Sequence, residues 1–465
     1  MTLVISGGLS NYCGAQFQSS TEICQMSLIL VHLSDIHFGQ ERANKLVEVH
    51  KDARERLLDD VRKFGADIAP KRISGVLVTG DIAYGGKPNE YEDAGQWLDR
   101  LTQIIGCSRS DVQVVPGNHD IDWDEISASV AYLLKEIEIH GEDKLDEFLN
   151  TTNDREILYR RFNSYERFAD AYNCPLDKGG GGAGDRVVEL APGRRLRFTG
   201  LNSALTCAKV DTQGKLVLGE RQRVLQRNSG EELVVLSHHP MSWMIDGEDA
   251  NGYIRARARV LVTGHEHKPS ARVEHVLDDA DLLTIEAGAT TPPGSDDEFT
   301  YAYNLLEFAW EEKEDALAVT VHSRCWSETR KEFVEDVARA ESETGYYVLA
   351  SPRYKEAPQV QVKQTATASE TNEPPVIQQE SSNGENGSDL MPAEYPDIIL
   401  RFFKDLVPSE RLRLLVEVGA VPENWNDKLS HGIEKALIDR AVQSGRAADI
   451  RAKLDELIAE KNKEG

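Results

Sequence analysis

From residue 27 to about residue 350, short β-branched runs alternate with longer amphipathic stretches. Residues 28–33 (LILVHL) are apolar apart from one histidine, as in a strand buried on both faces. Leu46, Val49, Ala53, Leu57, Leu58 and Val61 then recur at helical spacing. Residues 75–79 predict a second buried strand, 91–105 a second helix and 112–115 a third strand. Alternation of this kind means parallel pairing with crossover helices. Residues 124–172 are helical in pattern and rich in charge, which predicts an insertion or cap. Further strands are predicted over 196–201, 233–237, 260–263, 282–286, 303–308 and 316–322, the last three antiparallel. The run 179–184 holds five glycines in six positions and predicts a flexible loop. No Lys-Ser/Thr or helix start follows it, so it is a poor phosphate cradle. The expected fold class is α/β, an α/β/β/α sandwich of two sheets with helices outside.

The pattern breaks near residue 355. Residues 356–392 are dominated by Gln, Thr, Ser, Asn, Glu and Pro, and such a segment buries too little apolar surface to offset its ordering entropy. They are expected to form a flexible linker. Helical periodicity returns over 393–465, through Ile398, Ile399, Phe402 and Phe403, then Leu412, Leu415, Val416 and Val418. It continues through Ile433, Leu437 and Ala441, and then Ile450, Leu454, Leu457 and Ile458. This predicts a small all-α bundle, an adaptor or oligomerisation module. Residues 1–25 lack a basic n-region and an apolar h-region, and are expected to be a disordered extension to a catalytic domain over 26–355.

Composition narrows the functional classes. The net charge of −26 argues against nonspecific nucleic-acid binding, although bound dications can reverse the field inside a site. No apolar run is long enough to predict a membrane span. Cys13, Cys24, Cys107, Cys174, Cys207 and Cys325 form no CxxC pair, and their expected role is that of small buried hydrophobes in a cytoplasmic protein.

Five short motifs follow apolar runs: Asp35-Ile36-His37, Gly80-Asp81, Gly117-Asn118-His119-Asp120, His238-His239-Pro240 and Gly264-His265-Glu266-His267. In an open parallel sheet, ligands gather beyond the strand C-termini, so successive strands can deliver these side chains to one place. Oxygen and imidazole donors without thiolate select hard to borderline dications: Mn²⁺, Fe²⁺/Fe³⁺, Zn²⁺ or Ni²⁺. Two such ions would need a bridging carboxylate, for which the Asp81 loop is the natural place, and could hold a hydroxide between them. Asn202-Ser203 follows a strand and could approach the site. Arg255, Arg257 and Arg259 are expected on a solvated edge, and His32 as a hydrogen-bonded core histidine.

LSDIHFG, VLVTGDIAYGG, VVPGNHD, LSHHP and VTGHEHK resemble the successive signatures of the calcineurin-like metallophosphoesterase superfamily, over residues 27 to about 310. The resemblance implies that Asp35, His37, Asp81 and His267 hold one ion, and that Asp81, Asn118, His238 and His265 hold the other. It implies that His119 binds substrate phosphate or protonates the leaving oxygen, with Asp120 orienting it. His238 is taken as the ligand because the superfamily's ligand lies two positions before the proline, leaving His239 and Asn202 as candidate substrate contacts. The expected function is hydrolysis of a small phosphorylated or nucleotide-like ester by metal-bridged hydroxide. A metal-dependent DNA nuclease and a scaffold acting mainly through the C-terminal bundle are the alternatives. RLRLLVEVGAVPENW and IEKALIDRAVQSGRAADI resemble effector-associated, death-like adaptor helices, implying a protein partner for 393–465 in a bacterial-type signalling or defence assembly.

Overall fold

The apolar runs become strands and the amphipathic stretches helices in a computed structural model that describes residues 27–276, 280–290, 301–342, 345–356, 398–399, 401–403, 406, 408–421, 431–442 and 446–464. The expected extension over 1–25 and all but residue 356 of the expected linker over 356–392 lie outside them. The chain divides into two units, Met1–Gln364 and Thr365–Gly465.

In the first unit, β1 (Ser27–Leu33), β2 (Ile73–Val78) and β3 (Val112–Val114) are parallel neighbours. β10 (Ala302–Glu311) pairs antiparallel with β1, and β11 (Ala316–Ser327) with β10. β12 (Glu332–Glu335) and β13 (Tyr346–Leu349) both pair with β11, completing the sheet order β12-β11-β10-β1-β2-β3 with β13 alongside. The second sheet comprises β4 (Gly182–Ala191), β5 (Arg194–Leu201), β6 (Glu231–Leu236), β7 (Ala258–Thr263), β8 (Ser270–Val276) and β9 (Ala280–Glu286). Its order is β4-β5-β6-β7-β9-β8, with β5, β6, β7 and β9 parallel. Val31, Val76, Val78, Val234 and Val260 have no exposed surface, as expected of strands covered on both faces. Phe198 on β5 meets Phe308 on β10 edge to face with centroids 5.6 Å apart, joining the sheets through their shared core. Helices Val47–Asp67 and Pro88–Ile105 connect the parallel strands of the first sheet, and Gly247–Arg257 joins β6 to β7.

Several sequence expectations need correction. β9 is parallel to β7 and antiparallel only to β8, an edge strand whose sequence, SARVEHV, exposes most of its side chains and so carries no apolar run. The glycine run is only partly loop: β4 starts at Gly182, and the Asp177 carbonyl and carboxylate take the N–H groups of Gly181 and Gly179. Arg259 is not solvated. It is 1% exposed, with its Nε 3.3 Å from the buried Glu232 carboxylate, because it sits inside β7. Cys174 and Cys207 are buried, whereas Cys107 and Cys325 are only partly so.

The 124–172 segment folds into helices Ala128–His140, Glu142–Asn150, Thr152–Tyr159 and Asn163–Ala171. Tyr165 and Phe168 pack on Tyr91 of the helix Pro88–Ile105. The wholly buried Arg161 fastens the insertion to the loop after β5, donating to the carbonyls of Leu158, Leu205 and Cys207.

In the second unit, helices Pro408–Glu417, His431–Ala441 and Ala447–Glu464 enclose Phe402, Leu414, Leu415, Ile438, Ile450 and Leu454. Gly419, at φ 65°, turns the chain after the first of these. Arg411 and Glu434 form a buried pair at 3.0 Å between two of the helices.

Replacing Arg161 with Met keeps the aliphatic stem but leaves three carbonyls without their donor. At about 1 kcal/mol or more for each unsatisfied group, Arg161→Met is expected to cost the first unit about 3 kcal/mol, read as a lowered unfolding midpoint by calorimetry.

Candidate metal centre

The first sheet's parallel strands end together, and the ladder continues beyond them through the motif loops. Asp35 N–H donates to the Gly80 carbonyl at 3.0 Å, His37 N–H to Asp81 at 3.0 Å and Phe38 N–H to Ile82 at 2.9 Å. The second sheet is tied in by His238, whose Nδ1 lies 2.8 Å from the Thr79 carbonyl. Asp35, His37, Asp81, His265 and His267 all have left-handed backbones, with φ of 53°, 50°, 53°, 71° and 54°. Such conformations are sparsely populated outside glycine and gather at functional sites. Two glycines are dictated by close approach: a Cβ on Gly117 would fall on Asp81 Oδ1, and one on Gly264 would fall on Ser34 Oγ.

Seven expected ligands meet here. His267 Nε2 is 3.0 Å from Asp35 Oδ1, and His37 Nε2 is 3.9 Å from Asp35 Oδ1 and 3.7 Å from Asp81 Oδ2. His238 Nε2 lies 3.5 Å from Asp81 Oδ1, 3.1 Å from Asn118 Oδ1 and 3.3 Å from His265 Nδ1. Ligand atoms lie within 4.8 Å of one another in the groups Asp35/His37/His267, Asp35/Asp81/His238, His37/Asp81/His119 and His238/His239/His265. Asp81 belongs to two of these groups, beside His37 and His119 in one and beside Asp35 and His238 in the other. Buried carboxylates beside imidazole nitrogens whose lone pairs converge suit divalent cations well.

His119 points Nδ1 at the Tyr84 carbonyl, 2.7 Å away, so that nitrogen carries the proton and donates it. The expectation that Asp120 orients His119 is therefore corrected. The Asp120 carboxylate instead accepts from the N–H groups of Ile82, Ala83 and Gly117 and from the Tyr91 hydroxyl, bracing two motif loops against each other. His239 is corrected as well. It is wholly buried, with Nδ1 2.9 Å from Ser203 Oγ and Nε2 3.9 Å from Cys207 Sγ, and so has no surface for substrate. The His239 nitrogens thus meet Ser203 and Cys207, whereas His238 Nε2 meets Asp81, Asn118 and His265. Asn202, wholly buried beside this pair, likewise has no surface for substrate, and its carboxamide makes no hydrogen bond among the described residues. His32 meets expectation, with Nε2 3.0 Å from Thr79 Oγ1. The Tyr84 and Thr79 carbonyls that hold His119 and His238 escape sequence reasoning, since any residue type offers a carbonyl.

Burial alone would raise the Asp35 and Asp81 carboxyls, but the charges of His267 and His238 outweigh it and hold both acids below the usual range. Burial, reinforced by neighbouring imidazoles, lowers His37 to about 3 and His265 to about 4, leaving both neutral and ready to donate a lone pair. Burial would also lower His238, yet the adjacent Asp81 carboxylate pushes it up to about 9.

Residues 28–269 match the calcineurin-like phosphoesterase family. The chain belongs to that family. Calcineurin-like phosphoesterases use divalent metals, in keeping with the donor set assembled here. Residues 394–456 match the GTPase-associated adaptor domain, in agreement with the expected adaptor tail. Among curated proteins, the chain is 24% identical over 280 residues to the uncharacterized metallophosphoesterase-like protein YydB of Bacillus subtilis (strain 168), covering 57% of this chain and 54% of that protein. It is 31% identical over 99 residues to the glycerophosphodiester phosphodiesterase GpdQ of Enterobacter lignolyticus (strain SCF1), covering 20% of this chain and 30% of that one. The chain thus spans about half or less of the length of these relatives. Among solved structures, a purple acid phosphatase from yellow lupin (Lupinus luteus) seeds is similar over 67% of this chain and 53% of that one, with 11% identity and a TM-score of 0.35. No helix among the described residues is long and apolar enough to cross a membrane.

The raised His238 has a linked consequence. Folding lifts it from 6.5 to about 9, so its contribution to the metal-free protein's stability is complete below about pH 6.5 and lost as pH rises through 9. A cation coordinated by His238 must displace that proton. Mn²⁺ affinity is therefore expected to rise roughly tenfold per pH unit between these limits and level off above them. Calorimetry in buffers of differing ionisation enthalpy should show a proton released at pH 7.5.

Proposed function

We propose that this protein is a two-metal phosphoesterase that hydrolyses a phosphodiester or phosphomonoester, with a nucleotide-like substrate favoured, and that its C-terminal adaptor unit recruits it to a signalling or defence assembly. The reading rests chiefly on the convergence of five motifs, whose carboxylate and imidazole atoms form four overlapping groups of three, each with its atoms within 4.8 Å of one another. In it, Asp35, His37, Asp81 and His267 hold one ion, and Asp81, Asn118, His238 and His265 the other. Such a pair supplies Lewis acidity and an activated water for in-line attack on phosphorus. The domain limits 26–355 and 393–465 are part of the same proposal.

The chain's own residues supply orientation and proton transfer. His119, fixed through Nδ1 by the Tyr84 carbonyl, keeps Nε2 for the substrate. Protonated there, it would donate to a non-bridging phosphate oxygen or to the departing alkoxide. Asp120 takes part only indirectly, by holding the loops that carry Asp81 and Asn118. Recruitment is separate from chemistry in this reading, because a tethered module raises local concentration without altering the site.

Protein reloaded with Mn²⁺ is expected to hydrolyse bis(p-nitrophenyl) phosphate. Asp81→Ala removes the shared carboxylate and should lower kcat/KM by about 10³-fold or more, about 4 kcal/mol of transition-state stabilisation. Metal-loaded wild-type protein without turnover on any phosphoester of a broad panel would refute the reading.

Leaving-group dependence tests His119. His119→Ala should slow hydrolysis of an alkyl phosphoester by roughly 10²- to 10⁴-fold, the usual contribution of a general acid. A p-nitrophenyl leaving group needs no proton and should lose much less. Equal losses on both esters would assign His119 to phosphate binding.

A further inference from the structure

Three half-buried aromatic rings border the ligand cluster, and phosphate chemistry alone gives them no task. The Tyr84 ring stacks on His119 with centroids 5.3 Å apart and planes at 23°. Trp123, just beyond the third motif, lies 5.0 Å from His119 and 6.4 Å from Tyr84. Trp243, just beyond the fourth motif, stands edge-on to His265 at 4.2 Å and 85°.

Both tryptophan rings are held in place by hydrogen bonds. Trp123 Nε1 donates to the Asn118 carbonyl at 3.4 Å. Trp243 Nε1 donates to Glu266 at 2.7 Å, and its backbone carbonyl takes the N–H of Leu216 at 3.1 Å. His119 and His265 are themselves only partly buried, so these rings lie where the centre meets solvent. The Tyr84 hydroxyl makes no hydrogen bond among the described residues. Core aromatics of this chain such as Phe162 and Phe198 are wholly enclosed, whereas these three are only partly buried. Fixed, partly solvated rings lose little entropy on receiving a flat partner, and stacking asks nothing of the partner's hydrogen-bonding pattern.

We propose that Tyr84, Trp123 and Trp243 form a stacking rim that selects phosphoesters carrying a planar aromatic ring, a nucleobase or an aryl group, over esters of aliphatic alcohols. This rests on the phosphoesterase reading and deepens it by naming the substrate class. The three rings determine specificity and transfer no proton; the Tyr84 backbone carbonyl, which orients His119, is a separate contact.

The test is binding to Mn²⁺-loaded full-length protein by calorimetry, with phosphonates that cannot be hydrolysed. One pair is phenylphosphonate against methylphosphonate. The other is the phosphonate analogue of uridine 5′-phosphate against that of ribose 5-phosphate, which differ only in the base. Stacking on a ring is expected to favour the aromatic member by about 5- to 100-fold. Preference within the first pair alone assigns an aryl ester, and preference within the second a nucleotide. Trp123→Ala and Trp243→Ala should each shrink the preferred ratio, and the double variant should bring it close to one. Trp123→Phe and Trp243→Phe should keep most of it. Equal binding within both wild-type pairs overturns the proposal with no variant needed, as does a ratio that survives in the double variant. Turnover of bis(p-nitrophenyl) phosphate, measured separately, distinguishes failure of the rim from failure of the phosphoesterase reading.

Discussion

Two carboxylates, Asp35 and Asp81, lie buried within reach of the same imidazoles, and the rest of the first unit accommodates that crowding. Water would ordinarily solvate such groups, and burial without compensation is expensive. The architecture compensates by convergence. Parallel strands of both sheets end at one edge, the β1–β2 ladder runs on into the loops, and His238 crosses from the second sheet to the Thr79 carbonyl of the first. Five of the converging residues adopt left-handed backbones, each costing of the order of 1–3 kcal/mol unless its surroundings over-determine it. Asp120 is one such determinant, since its carboxylate gathers N–H groups from the loops of the second and third motifs. The sandwich is thus a frame that holds strained turns in a fixed relation.

What the sequence revealed follows from the same physics. Strands covered on both faces must be apolar throughout, so β1, β2, β6 and β7 stand out as continuous runs, and the motifs at their ends could be read with their order and chemistry. Edge strands obey no such rule. β4 and β8 expose alternate or nearly all side chains and look like polar loop. The misreading of Arg259 has a different origin: an arginine at a strand's start seems solvated until its buried partner Glu232, 27 residues earlier in the chain, is known. Adjacency in sequence suggests contact between Asp120 and His119, whereas the Asp120 carboxylate turns back towards Ile82 and Ala83. Side chains that serve backbone groups leave little trace in sequence.

The two units place different demands on their residues. In the first, glycines and left-handed aspartates sacrifice local stability to bring ligands together. The second follows ordinary helical rules, with an apolar seam through Leu414, Ile438 and Leu454 and a buried pair, Arg411 with Glu434. A buried pair of this type adds little net stability against an apolar alternative, but it penalises misregistered helices, which would strand one charge. In a bundle this small, such specificity is the more valuable contribution.

The acidity of the chain poses a final problem for the phosphoesterase reading. At a net charge of −26, the protein's long-range field repels the substrate class its family acts on. Asp35 and Asp81 intensify that repulsion locally, and His238, the ring raised most strongly towards protonation, is the one Asp81 neutralises. Only dications carry enough charge to reverse the sign over a few ångströms. The donor set would then serve electrostatics as much as chemistry, making attraction of phosphate conditional on metal occupancy. Stacking surfaces beside the cluster suit the same circumstances, because they attract a flat ester group whatever the charge around them.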